Sequence, residues 1–179
     1  MDIETEIQDI EKYSTILVVS SAEKLQLAVN TIIKLFSRKK LVGVYVCLNR
    51  PYKAAKTLLE KEKIRLDKVF FIDCITSHIG QPDKSEGVLH ICSPAELTGL
   101  TTAISSFIKT VEGKKYIFLD ALTTLLIYNK EDVVLAFMKS LLGFATESNT
   151  QLIVLTPEIS RGEFSSKIIP LFNKVVHIT

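Results

Sequence analysis

Lys115-Tyr116-Ile117-Phe118-Leu119-Asp120-Ala121-Leu122-Thr123-Thr124 is the stretch that decides how this chain is read. Tyr116 to Leu119 run without polar alternation, which predicts a strand covered by helices on both faces. The strand delivers a carboxylate, Asp120, to its exit. That exit is the carboxyl edge of a parallel sheet, where open α/β folds place their ligands. An apolar strand ending in Asp holds Mg²⁺ in nucleotide hydrolases, directly or through water. The same form also arises where Asp only caps the next helix or turn. A purely structural Asp120 is expected to hydrogen-bond backbone or hydroxyl groups such as those of Thr123 or Thr156.

Outward from this stretch, strand and helix patterns alternate. On the N-terminal side, Ser93-Pro94-Ala95-Glu96 has the form of a capping box, with Pro at the first helical position, and predicts a helix running to about Val111. Further back lie three apolar strand patterns: Val69 to Ile72 ending in Asp73, Val42 to Leu48, and Ile16 to Val19. Ser20 or Ser21 can cap a helix over 22–37, and Pro51 opens another. Residues 77–87 read as a loop. On the C-terminal side an apolar turn region reaches Tyr128, followed by a helix over 130–147 capped by Asn129, with Asn149 suited to its exit. Strands at Gln151 to Leu155 and Lys174 to Ile178 flank a short helix from Glu163 to about Ile169. This order predicts an α/β fold built on a mostly parallel sheet of about six strands, with helices on both faces.

At 179 residues and 47% hydrophobic content, the chain suits one domain over 15–179, preceded by an acidic segment over 1–14. No apolar run approaches the roughly 20 residues of a membrane-spanning helix, and the first residues are acidic where a signal peptide is basic. Cys47, Cys74 and Cys92 lack metal-type spacing, and an odd number of thiols fits a reduced compartment. The reading is a cytoplasmic protein. Of the net charge of +2, residues 1–12 carry −4, leaving +6 on the remainder. Ile3, Ile7 and Ile10 recur at helical spacing within the acidic segment, which reads as a short amphipathic helix over 2–12 docked on the body or on another subunit, or as a frayed terminus, and as the candidate arm for a neighbouring subunit or partner. Arg38, Lys39, Lys40, Lys53, Lys56, Lys61, Lys63, Arg65 and Lys68 read as solvated helix faces and turns rather than a nucleic-acid surface.

The chemistry-bearing residues are sparse. A phosphate-binding loop needs glycines so that backbone N–H groups wrap the phosphates, a Lys for the outer phosphates, and a Ser or Thr hydroxyl for Mg²⁺. The first strand here is followed by Ser20-Ser21-Ala22-Glu23-Lys24-Leu25-Gln26, with no glycine and with Glu23 placed to repel phosphate. Lys24 reads as a solvated first-turn residue, with the outer-phosphate lysine as the alternative. The second strand runs into Leu48-Asn49-Arg50-Pro51 and brings no carboxylate to orient an attacking water. Asp73, Cys74 and His78 lie within six residues but lack a second ligand pair. His90 and His177 fall in strand-like segments and read as packed or edge residues. No Gly-x-Ser-x-Gly nucleophile elbow occurs.

Phe70-Phe71-Ile72-Asp73, Ser93-Pro94-Ala95-Glu96-Leu97-Thr98 and the run from Tyr116 to Tyr128, taken in this order, resemble the archaeal KaiC-like branch of the RecA superfamily over residues 15–178. The resemblance implies a RecA-like P-loop-NTPase-type sheet in which the strand starting at Gln151 lies between the first strand and the Asp120 strand. It sets Asp120 at the Walker B position and Lys24, loosely, at the Walker A lysine of a degenerate motif. The function it implies, given the missing parts, is that of a pseudo-ATPase acting through protein contacts in archaeal signalling or regulation. It would act as a homo-oligomer or as partner to an active KaiC-like ATPase, with no cofactor, metal, nucleic acid or membrane. The alternative is a weak nucleotide-binding switch that takes ATP and Mg²⁺ through Lys24, Ser20, Ser21 and Asp120.

Overall fold

Each apolar run found in the sequence becomes a strand whose side chains are dealt alternately to two helical layers. The computed structural model describes residues 3–7, 9–82, 84–158 and 162–178. In chain order the elements are α1 (Ile3–Ile7), β1 (Thr15–Ser20), α2 (Leu25–Arg38), β2 (Val42–Cys47), α3 (Tyr52–Lys61), β3 (Val69–Asp73), α4 (Thr76–Ile79) and β4 (Val88–His90). They continue with α5 (Leu97–Thr110), β5 (Lys115–Asp120), α6 (Leu122–Tyr128), α7 (Glu131–Glu147), β6 (Gln151–Pro157), α8 (Glu163–Ile168) and β7 (Lys174–Ile178).

The strands form one seven-stranded sheet in the order β4-β3-β2-β5-β6-β1-β7, parallel throughout. β6 stands between β1 and β5, in the order expected from the resemblance. The expected count of about six strands is corrected to seven, because Val88–His90 continues the sheet beyond β3. Three residues after a Gly-containing loop are too short for a periodic signal.

β1 and β5 are buried along their whole length. Ile16, Val18, Tyr116 and Phe118 face the layer of α1, α2 and α3, whereas Leu17, Val19, Ile117 and Leu119 face α5 to α8. Gly43 of β2 is required by a close approach: it pairs with Tyr116 of β5, and a Cβ there would meet the Tyr116 ring at 2.0 Å. That ring is itself stacked on Phe36 of α2, with centroids 4.3 Å apart.

Three local expectations are corrected. Ile7 and Ile10 are 2% and 1% exposed and join the core of their own domain, with α1 lying against β7 and α2, so of the alternatives for this segment docking on the body holds and the free arm for a partner does not. Ile3, Glu4 and Glu11 have side chains outside the described residues. Ser93-Pro94-Ala95-Glu96 forms a turn rather than the first turn of a helix. The Ala95 amide donates to Ser93 Oγ (2.9 Å) and the Glu96 amide to the Ser93 carbonyl, and α5 starts only at Leu97. Asn129 does not cap α7, because Lys130 holds that place; the Asn129 amide instead donates to the carbonyls of Pro94 and Leu125. Asn149 does take the left-handed conformation expected at the exit, with φ 49°.

Candidate functional site

At the carboxyl edge, backbone register sets four polar residues side by side on adjacent strands. His90 of β4 pairs with Asp73 of β3, Asp73 with Cys47 of β2, and Cys47 with Asp120 of β5. Two of these are the strand-end carboxylates visible in the sequence. The structure gives them opposite environments.

Asp120 is 1% exposed, and its Oδ2 accepts a 2.5 Å hydrogen bond from the hydroxyl of Tyr45, two residues before the end of β2. The expected partners Thr123 and Thr156 are not used; Thr156 Oγ1 donates to the Pro157 carbonyl. Burial pushes the Asp120 carboxyl above the usual carboxylate range, and the Tyr45 hydrogen bond and the positive field of Arg50 only partly offset it. Burial and the nearby Asp120 likewise raise the Tyr45 phenol well above its ordinary value. The peptide bond between Asp120 and Ala121 is cis. The cation facing this carboxylate is Arg50, from the segment in which a water-orienting carboxylate is missing. Its Nη1 donates to Gln26 Oε1 at 2.5 Å, and Gln26 Nε2 donates onward to Asn30.

Asp73 is fully buried and does the work of a helix cap for elements that lack their own. Pro51 before α3 has no capping side chain, and the Tyr52 amide donates to Asp73 Oδ2 at 2.9 Å instead. The amides of Ile75 and Thr76 donate to Oδ1 at 2.8 and 3.0 Å, and the Thr76 hydroxyl donates to Oδ2. Burial raises the Asp73 pKa, but the hydrogen bonds from Thr76, Tyr52 and Ile75 together outweigh it and leave the carboxyl below the usual range. Cys47, between the two carboxylates, has its thiol pushed well up by burial and then by Asp73 and Asp120, which makes it a poor nucleophile.

The remaining sequence candidates do not converge on Asp120. Ser20 is completely buried, its hydroxyl donating to the Ser21 carbonyl and its own carbonyl accepting from Glu158. The Ser21 amide is taken by the Ile178 carbonyl at 3.0 Å, and the Ser21 carbonyl accepts from Lys24 at 3.0 Å. A single 3-10 turn, Ala22–Lys24, therefore joins β1 directly to α2 and leaves no loop to wrap a phosphate. Lys24 follows β1, which β6 separates from the Asp120 strand. No group of three His, Cys, Asp or Glu side chains suited to a metal occurs among the described residues. His78 packs edge-on against Tyr128, with ring centroids 5.3 Å apart. Tyr45 and Arg50 were the residues sequence reasoning missed. The available signal was a polar-tipped aromatic in a strand otherwise made of small and β-branched residues, followed by a cation where a carboxylate was sought.

A family model matches residues 52–179, a stretch that contains Asp73, His90 and Asp120. The chain belongs to the family of unknown function DUF7090. No curated protein sequence matches it. Among solved structures it is similar to a KaiC-like protein from the hyperthermophilic archaeon Pyrococcus horikoshii OT3, with a TM-score of 0.66 and 11% sequence identity. The match covers 92% of this chain and 70% of that one. At that identity the likeness is one of fold: an α/β domain with a parallel sheet flanked by helices, as in that RecA-like structure. No helix is long and apolar enough to cross a membrane among the described residues.

Proposed function

We propose that this chain is a pseudo-ATPase, a KaiC-like module that has exchanged phosphate chemistry for protein contacts, assembling with itself or with an active KaiC-like ATPase. The observation that carries the reading is the closure of Asp120. The carboxylate that a hydrolase of this fold turns toward Mg²⁺ is here 1% exposed and bonded to the phenol of a neighbouring strand. The direct passage from β1 through one 3-10 turn into α2 supports the same reading, since catalysis of phosphoryl transfer rests on positioning all of its parts together. The contact role draws on an apolar group at the same edge. Ile79, at the end of α4, is 69% exposed and Ile127, in α6, is 78% exposed, with the two helices joined through His78 and Tyr128.

Calorimetric titration with ATP, with and without Mg²⁺, tests this function. The expected result is no saturable heat in either condition. Mg²⁺-dependent binding that is lost on Asp120→Asn and on Lys24→Ala would overturn it in favour of a nucleotide switch.

A further inference from the structure

α2, α3 and α7 end in the same kind of turn. The Leu41 amide donates to the Phe36 carbonyl and Lys40 to Ser37; Ile64 donates to Leu59 and Lys63 to Glu60; Thr150 donates to Ala145 and Asn149 to Thr146. This double closure needs a left-handed residue at its second-last position, and Lys40, Lys63 and Asn149 have φ 57°, 54° and 49°. Gly is usual there and Asn is tolerated, because a Cβ disfavours that conformation. Asn149 conforms, whereas Lys40 and Lys63 do not. A cation near a helix C-terminus complements the dipole, but Arg38, Lys39 and Lys61 already supply that without a positive φ.

The two turns that carry lysine are neighbours. α2 leads into β2 and α3 into β3, which pair in parallel, so both turns lie at the amino edge of the sheet, opposite the edge that holds Asp120. The Ser37 hydroxyl donates to the Arg65 carbonyl at 2.9 Å, and the Lys68 ammonium donates to the Lys40 carbonyl at 3.2 Å. Register thus joins two basic runs that are separate in sequence into one rim. Residues 38–40 and 61–68 hold seven exposed cations and two acids, a net +5 where the whole chain carries +2. Of the two acids, Asp67 is held by Arg65 at 3.2 Å, and with Glu60 and Glu86 it lines a groove on the β3 flank.

Charge is nearly all that this rim presents. Ile64 is buried, Leu41 and Leu66 pack on the core beneath, and neither turn carries an aromatic residue. Protein interfaces centre on apolar and aromatic residues and are poor in lysine. Single-stranded nucleic acids are held by stacking on aromatics. RNA duplexes are recognised partly through their 2′-hydroxyls, and Ser37, the one uncharged polar side chain in 37–41 and 61–68, already spends its proton on Arg65. Clustered lysines without these features suit a duplex backbone, which carries one negative charge per about 1.7 Å of its axis.

We infer that this rim docks the phosphate backbone of duplex DNA without reading its bases. The surface is remote from the Asp120 edge, so the inference does not depend on the pseudo-ATPase reading. Fluorescence anisotropy of a labelled duplex of about 20 base pairs and mixed sequence, titrated with the full chain from about 50 to 200 mM salt, is the test. Contact with four or five phosphates should give log K against log salt a slope of about −4. The double variant Lys40→Gly/Lys63→Gly separates binding from folding, because glycine suits both left-handed positions: it should melt no lower than the wild type, bind DNA at least about tenfold more weakly, and flatten the slope by about 2. Lys130→Gln/Lys139→Gln removes the same charge from exposed positions of another helix and should leave the affinity within about twofold. No binding by about 100 μM protein at 50 mM salt, or equal losses in the two double variants, would overturn the proposal. So would tighter binding of single strands or of duplex RNA, or competition by polyglutamate as effective, charge for charge, as by unlabelled DNA.

Discussion

Tyr45→Phe removes one oxygen from the protein and leaves Asp120, at 1% exposure, without its hydroxyl donor. Neutral hydrogen bonds contribute about 1 kcal/mol and those to charged groups about 1.5–3 kcal/mol, so the expected loss is about 2 kcal/mol, or a Tm lower by about 4–8 °C for a chain of this size. Asp120→Asn acts differently, because the amide oxygen still accepts from Tyr45 but brings no charge to be desolvated. The folded carboxyl pKa lies above its unfolded value of about 3.9, so the folded state holds this proton more tightly. The wild type therefore keeps the associated stability below about pH 4 and loses it as pH rises from there through the raised folded value. Asp120→Asn has no such loss and should match or exceed the wild type at neutral pH. Urea denaturation of the wild type, both single variants and the double variant, across pH 4 to 8, measures all three quantities. The two substitutions should be coupled by about 1 kcal/mol, since the Tyr45 hydroxyl is worth less against a neutral amide. Additive effects, or an Asp120→Asn protein that loses ground to the wild type as pH rises, would refute the account of Asp120 as a closed, desolvated carboxyl.

Gly43→Ala should destabilise by at least 1–3 kcal/mol by calorimetry, because the added methyl group overlaps a Tyr116 ring that Phe36 holds in place; an unchanged Tm would count against that packing. Ile7→Ala and Ile10→Ala should each cost about 2–4 kcal/mol in urea denaturation, whereas a free arm would give no change. Asp73→Asn should weaken the start of α3 by about 1–2 kcal/mol. Since the Asp73 pKa is lowered on folding, the wild type's advantage is complete above about pH 4 and declines as pH falls through the folded value, which a pH series of melts tests. Of the three thiols only Cys92 should react with a thiol reagent in the native state, because Cys47 and Cys74 are buried and burial pushes the Cys74 thiol up to about 12; mass spectrometry reads the labelled site.

The layered α/β architecture was legible because buried parallel strands are long apolar runs, and Ile16 to Val19 and Tyr116 to Leu119 are such runs. β4 was not, since Val88-Leu89-His90 is short and Leu89 is half exposed, so it lacks both length and contrast. The helix start at Ser93 misled because the same residues that form a capping box also form a Ser-capped turn, and local sequence does not say which; the backbone stays outside the helix until Leu97. At the edge, Asp73 and Asp120 were visible as strand-end carboxylates, but their partners were not. The Tyr45 hydroxyl reaches Asp120 from 75 positions away, and His90 meets Asp73 only through strand register. Which side chain completes a buried polar pair is decided by the order of strands in the sheet, and that order is invisible to residue spacing. The isoleucines of the N-terminal segment were found at the right period, but whether such a stripe covers its own domain or a neighbour depends on a groove that only the folded body presents.

β1 is flanked by β6 and β7, the last two strands of the sheet to be synthesised. β1 is made more than 100 residues ahead of its neighbours, and neither of its edges is paired until residues 151–178 have been synthesised. At about 5–20 residues per second this strand waits roughly 10–30 s with both rows of backbone groups open, a period in which nascent chains on neighbouring ribosomes compete for it. Asn173 ends that wait. Its side-chain oxygen accepts from the hydroxyls of Ser14 and Thr15, and its backbone N–H donates to the Thr15 carbonyl, so the clasp that seats β7 also fixes the start of β1. Loss of Asn173 should therefore show first in the yield of soluble protein during synthesis, and only second in the stability of the molecules that finish folding.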